Sequence, residues 1–358
     1  MTTCWRSCVL SSALLAACSG PTTSGAAPAR EIVTTLVDDV YLPTLEELAA
    51  QAPALVTATT ALCASPDATT LARARDAWRA LRVPLGRQES MAIGPIATLR
   101  IDAELDFWPA RTSDIDGELA LATPIDDAYV AGLGATRKGL PVIEYLLFVD
   151  GRLETPRACA YLTALARRVE DRTRVLVEAW RATGGDYRGE LVAADEAGSM
   201  YMSLGEAINA AGNALIVAVE NLEGLQLAKP LGRRDGGTPQ PGATKSRFSD
   251  ASAADALATL AGARRVYLGS LTEMPAPASF SAYVRSRDAM LDDEVLAQLA
   301  RCEDTIRAWP APLDELVVSD PEPPSASFEC AKELLALLKA DVAGLLGITP
   351  TFGDVDGD

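Results

Sequence analysis

From residue 31 to residue 346 apolar side chains recur at steps of three and four, and no convincing apolar–polar alternation replaces that rhythm. A period near 3.6 puts such side chains on one face of a helix, whereas a half-buried strand needs a period of two. The expected fold class is therefore all-α. Ile32, Leu36, Val40, Leu45, Leu48 and Leu55 mark the first stripe, over 31–63, with Pro43 expected to kink it. A second long helix is expected over 69–90, bent at Pro84. Gly94-Pro95 breaks the chain, and a shorter piece runs through Leu99, Ile101 and Leu105 to Trp108-Pro109. Asp114 and Thr123-Pro124 read as the starts of short helices. The apolar run that ends at Asp150-Gly151 follows.

Thr155-Pro156 opens a long amphipathic helix that reaches Trp180. Further helices are expected over 200–222, 249–268, 292–308 and 325–346, with the Gly/Pro-rich stretch 229–245 as a loop. Gly151 divides two halves of similar composition. The expected architecture is two packed helical bundles, over 31–150 and 151–358.

The first 30 residues concern processing rather than fold. Arg6, a short apolar core from Cys8, and Leu15-Ala16-Ala17-Cys18 follow the pattern of a bacterial lipoprotein signal. Residues 1–17 would be removed and Cys18 diacylated as the new N-terminus; an ordinary secretory signal cleaved nearby is the alternative. The apolar run is too short for a spanning helix, which needs roughly 20 residues. Ser19 after the cysteine favours outer-membrane delivery in a Gram-negative cell. Residues 18–30 form a flexible polar tether. The expected setting is the periplasmic side of the cell envelope, with the membrane engaged through the lipid.

Charge and missing residue types narrow the function. Without Arg6 the chain carries 49 acidic and 31 basic residues, a net charge near −18. That disfavours nucleic acid and anionic lipid headgroups as partners, and leaves cationic ligands or plain solubility. The chain has no histidine. Every Ser-His-Asp or Cys-His nucleophile pair and every His-x-x-x-His zinc site is thereby excluded. Four cysteines remain beyond the signal: Cys63, Cys159, Cys302 and Cys330. Two disulfides suit an exported chain, and three connectivities are open. Cys302 with Cys330 is favoured because it ties two neighbouring helices, leaving Cys63 with Cys159.

Glu144 is a lone carboxylate in an otherwise apolar stretch, so it needs a partner, a proton or a metal. Around it the chain carries Trp78, Glu89, Gly94-Pro95, Arg100, Asp102, Asp106-Phe107-Trp108-Pro109-Ala110-Arg111 and Gly139-Leu140-Pro141-Val142-Ile143-Glu144. Its tail runs from Leu346-Gly347-Ile348-Thr349-Pro350 to Asp358. Together these resemble the imelysin family, over essentially everything after residue 30. The resemblance implies an all-helical, two-domain exported protein, frequently lipid-anchored and associated with iron uptake, under a peptidase label that rests on weak ground. It also implies a Gly-x-His-x-x-Glu motif whose histidine and glutamate line a metal site near the domain junction. Here Gly139 and Glu144 match, and Pro141 stands where the histidine would be. Proline suits the first turn of a helix. Glu144 would then lie within about that turn, where the helix dipole favours its ionised form by roughly 0.3–1 kcal/mol.

Glu89, Asp102, Asp106 and Glu144 are the candidate metal ligands. An all-oxygen set of this kind suits a hard cation: Ca²⁺, Mg²⁺, Mn²⁺ or ferric iron. Arg82, Arg87, Arg100, Arg111 and Arg137 lie in the same stretches and compete for those acids. The first functional reading is a non-enzymatic binding or accessory protein that handles iron or another hard cation through this site. The second is a metal-free scaffold or interaction protein. A metallopeptidase is disfavoured, because hydrolysis needs a metal-bound water in a defined ligand set. Asn209, Asn213 and Glu220 are expected to line an interior polar seam, while Ser203 and Ser249 lack an activating base. Trp78, Trp108 and Trp180 read as core anchors. Asp354, Asp356 and Asp358 resemble the start of a calcium loop that lacks its distal glutamate.

Overall fold

Every regular element among the described residues is helical, as the three- and four-residue periodicity predicts. The computed structural model describes residues 29–351. The signal, Cys18, most of the tether and the acidic end at 354–358 lie outside them.

The first stripe folds as α1 (Ala29–Thr35), a π-helical turn over Leu36–Tyr41, and α2 (Leu42–Ala64). Pro43 falls in the first turn of α2, where its missing N–H costs nothing, so the irregularity is the π turn ahead of it. Asp67 and Thr70 form a reciprocal capping box at the start of α3 (Ala68–Gln88). Five short helices follow: α4 (Pro95–Thr98), α5 (Ile101–Leu105), α6 (Thr112–Leu119), α7 (Asp127–Ala131) and α8 (Leu140–Phe148). The cap of α7 is Asp126, which accepts the Tyr129 N–H at 2.8 Å, rather than Thr123. Asp126 is the residue immediately before the helix, three positions beyond Thr123. Thr155 does cap α9 (Pro156–Trp180), accepting the Ala158 N–H.

The composition places α9 in the second half of the chain, yet it packs along α2 and against α4, α5, α7 and α8. The disulfide Cys63–Cys159 fastens the end of α2 to the start of α9. The remaining helices are α10 (Tyr187–Val192), α11 (Leu204–Asn221), α12 (Ser252–Leu268), α13 (Phe280–Arg287), α14 (Ala289–Arg307), α15 (Leu313–Ser319), α16 (Glu322–Ala336) and α17 (Ala343–Leu346). Two more π turns, Leu222–Ala228 and Leu337–Val342, extend α11 and α16. The short helices α10, α13 and α15 span too few residues to declare a period. Cys302–Cys330 fastens α14 to α16.

The two groups of helices meet where α3 packs on α12. Gly262 sets how closely they approach: a Cβ there would lie 2.2 Å from the Arg87 carbonyl oxygen. Trp78, Trp180, Tyr41, Tyr161, Tyr267 and Phe280 are fully buried along this continuous core. Among the described residues no helix is long and apolar enough to cross a membrane.

Candidate functional site

A chain of buried charges crosses the α3–α12 contact. Arg82, on α3, grips Asp255 of α12 with two parallel bonds, Nε to Oδ1 at 3.0 Å and Nη2 to Oδ2 at 2.8 Å. Its remaining arm donates to Asp106, just past the end of α5. Asp106 is also approached by Lys245, whose Nζ lies 3.1 Å from Oδ2. The same ammonium pairs with Glu89, which follows α3 directly. Glu89 further accepts from Thr259 at 2.9 Å and from Gln226 at 3.3 Å. One guanidinium and one ammonium thus pair with Asp106, Asp255 and Glu89 from within the fold and leave one negative charge in excess.

The electrostatics follow from that packing. Burial pushes the Asp106 carboxyl up, but Arg82 and Lys245 outweigh it and hold the pKa below the usual range. Burial alone would pull the Lys245 ammonium down; Asp106 and Glu89 reverse that and keep it firmly protonated. Arg82 is held charged in the same way by Asp106 and Asp255.

Glu144 stands differently. It lies in the second turn of α8, beyond the reach of the first-turn dipole that the sequence suggests. Its Oε1 accepts the backbone N–H groups of Phe248 and Ser249, each at 3.0 Å, and the Ser249 hydroxyl at 2.8 Å. Desolvation dominates: burial pushes its pKa up to about 7, although the Ser249 bonds and Arg82 pull the other way. The expectation that the first-turn dipole acts on this acid is therefore corrected: burial and the 248–249 loop set its environment. Glu144 anchors the loop that carries Lys245 and leads into α12.

Gly139 explains how α8 reaches this place. Its φ is +89°, and a Cβ would sit 2.7 Å from the Leu105 carbonyl oxygen and 2.9 Å from that of Glu104. The glycine lets the start of α8 rest against the end of α5. Pro141 occupies the first turn, and the Leu140 carbonyl accepts the Trp78 indole N–H at 2.9 Å.

Beside Lys245 opens a cavity of about 330 Å³, whose lining includes Phe107 and Trp108 together with Gln88, Asn221 and Gln226. Glu89, Asp102 and Asp106 complete its charged wall. Asp102 is exposed. Glu144 is not among the lining residues. Of the four candidate ligands, then, three face one cavity and the fourth binds the 248–249 backbone. Among the described residues no group of three or more acidic or thiol side chains is placed to hold an ion. The position between Glu89 and Asp106, where a cation would go, holds the Lys245 ammonium, so the side chains as arranged do not fit a metal.

Of the arginines expected to compete, only Arg82 does so. Arg87 pairs with Glu47 and Arg137 with Glu118, while Arg111 stacks over Phe107. Trp108 is a cavity wall rather than a core anchor. Asn209 and Asn213 hold the tail, accepting from Thr349 and Thr351 N–H groups at 2.7 and 2.8 Å, and Glu220 pairs with Lys339. Ser249 does have a carboxylate neighbour, contrary to expectation, but both groups are buried and Ser249 is closed off from any substrate. Lys245, Asp255, Thr259 and Gln226 escape a sequence reading. The available signal was Lys245-Ser246-Arg247-Phe248-Ser249-Asp250, a dense polar run directly before a helix.

Residues 41–340 match the imelysin family. The chain is 26% identical over 288 residues to Iron-regulated protein A of Synechococcus elongatus, covering 79% of this chain and 76% of that protein. A putative iron-regulated protein A precursor from Parabacteroides distasonis shares the fold with a TM-score of 0.75 at 23% identity, over 89% of this chain and 94% of the other. An imelysin-like protein from Psychrobacter arcticus does so with a TM-score of 0.72 at 18% identity, over 90% and 97%.

Proposed function

This chain belongs to the imelysin family, and we propose that it is a non-enzymatic accessory protein of the cell envelope whose central carboxylates Glu89, Asp106 and Asp255 are paired with its own cations. The observation that carries this reading is the Lys245 ammonium between Glu89 and Asp106, backed by Arg82 between Asp106 and Asp255. A buried, paired ammonium is a built-in counterion, and displacing it would leave Glu89 without a cation and Asp106 with Arg82 alone in a poorly solvated place.

The envelope setting is supported by the signal-like start with Cys18 and by two disulfides, which suit an oxidising compartment. A lipid on Cys18 would tie the chain to a membrane, most simply the outer one. The link to iron rests on the names of the Synechococcus and Parabacteroides relatives. A hydrolytic role has little support, since the chain has no imidazole and Ser249 is buried.

Calorimetric titration of the purified protein with Fe³⁺-citrate, Mn²⁺ and Ca²⁺ tests the reading. No saturable heat is expected. Saturable binding that disappears in Glu89→Gln would overturn it in favour of a hard-cation carrier whose lysine swings aside.

A further inference from the structure

The cavity next to Lys245 is built from acceptors and aromatic faces. Lys245 itself shows what such walls recognise: its ammonium meets two carboxylates and lies 5.6 Å from the centroid of the Trp108 ring. On the same cavity Asp102 presents a carboxylate with no side-chain hydrogen bond or ion pair among the described residues. Gln88 and Gln226, each 3% exposed, also line it, and each leaves its amide oxygen buried without a hydrogen-bond partner. Buried acceptors are nearly always satisfied, and these two belong to residues that border the cavity. Gln226 sits on the π turn Leu222–Ala228, a kind of distortion that collects at functional sites.

We propose that this cavity binds the ammonium end of a small organic amine, with Asp102 as the receiving carboxylate and Phe107 and Trp108 against its carbon body. The inference rests on the reading that Lys245 is the built-in counterion shared by Glu89 and Asp106. Charge selects the sign of the ligand: Glu89, Asp102, Asp106 and Asp255 outnumber Arg82 and Lys245 by two, so an anion is disfavoured. Chemistry selects ammonium over metal. A hard dication wants several uncommitted oxygens, and here only Asp102 is uncommitted. A monovalent group with three N–H donors needs one carboxylate plus neutral acceptors. The volume, about 330 Å³, suits a small molecule.

Isothermal titration of the purified protein with benzylamine, agmatine and the neutral isostere benzyl alcohol tests this, alongside Asp102→Asn and a Mn²⁺ titration. Asp102 is exposed, so the variant is expected to fold like the parent, as far-UV circular dichroism would verify. The expected result is saturable binding of at least one amine, weakened tenfold or more in Asp102→Asn, with no binding of benzyl alcohol. Failure of both amines to bind, or equal affinity in Asp102→Asn, overturns the amine site and leaves the Lys245 reading standing. Saturable Mn²⁺ binding abolished by Glu89→Gln overturns that underlying reading instead.

Discussion

The ammonium of Lys245 lies 3.1 Å from Asp106 Oδ2, in a place where both side chains are almost wholly withdrawn from water. Ion pairs at a surface contribute little, but a buried carboxylate that loses its partner costs several kcal/mol. The lysine comes from the loop before α12 and the aspartate from the segment after α5, so the pair joins the two groups of helices at their junction.

Lys245→Ala is expected to destabilise the protein by about 3–5 kcal/mol, because Glu89 would lose its cation and Asp106 would keep only Arg82, which it shares with Asp255. The vacated position between Glu89 and Asp106 should also become open to an added cation. Added Ca²⁺ or Mn²⁺ is expected to raise the melting temperature of the variant and to leave that of the parent unchanged. Thermal melts with and without roughly 1 mM ion would check both halves of the prediction.

Gly139→Ala is expected to lower stability by about 2–4 kcal/mol, since the added Cβ meets backbone carbonyls of Glu104 and Leu105 at a positive φ. Neither carbonyl can rotate away as a side-chain tip would. Gly117→Ala is the control: nothing lies within 4 Å of its Cβ and it sits inside α6, so that change should be neutral or mildly stabilising. Urea denaturation of the two variants separates these outcomes.

Much of this fold is legible in the chain because helices advertise themselves locally. Thr155-Pro156, Asp67 with Thr70, and the long stripes on α2, α3 and α9 are short-range signals that no distant contact has to supply. The π turns are different: their registers answer to packing, and nothing in Leu222–Ala228 distinguishes it from the helix before it. The site is half legible for the same reason. Glu89, Asp102 and Asp106 are singled out by the family resemblance, and three of the four candidates do face one cavity. Their counterion Lys245 comes from far along the sequence, so pairing could be read only from tertiary structure. Glu144 was recognisable as a special acid, but its role depended on where the loop at 248–249 lands.

Reduction should weaken the two groups of helices unequally. Cys63–Cys159 closes a separation of 96 residues and Cys302–Cys330 one of 28. In the chain-entropy view these restrain the unfolded state by roughly 5 and roughly 4 kcal/mol respectively. Melting the Cys63→Ala/Cys159→Ala and Cys302→Ala/Cys330→Ala variants is expected to show the larger loss for the first pair. An added reductant should lower the melting temperature of the parent and of each double variant, and should leave unchanged a variant lacking both pairs.

Glu144 supplies a pH dependence of definite sign. Its folded pKa is raised to about 7 while the unfolded carboxyl keeps its ordinary value near 4.5. Between those values the folded state holds a proton that the unfolded state has released, so stability falls as pH rises through that window. Asp106, whose pKa is depressed, acts oppositely: its contribution is complete above the ordinary carboxylate pKa and is lost only as acid protonates it. The two effects occupy different ranges and can be told apart by substitution. Glu144→Gln keeps an oxygen to accept from Phe248, Ser249 and the Ser249 hydroxyl but never bears a charge. It is expected to match the parent near pH 5 and to exceed it at pH 8, by up to about 3 kcal/mol. Chemical denaturation of parent and variant across pH 4.5–8 reads the difference directly. A gap that stays constant over that range would mean that Glu144 is ionised throughout, and that the loop before α12 is held by a charged rather than a protonated carboxyl.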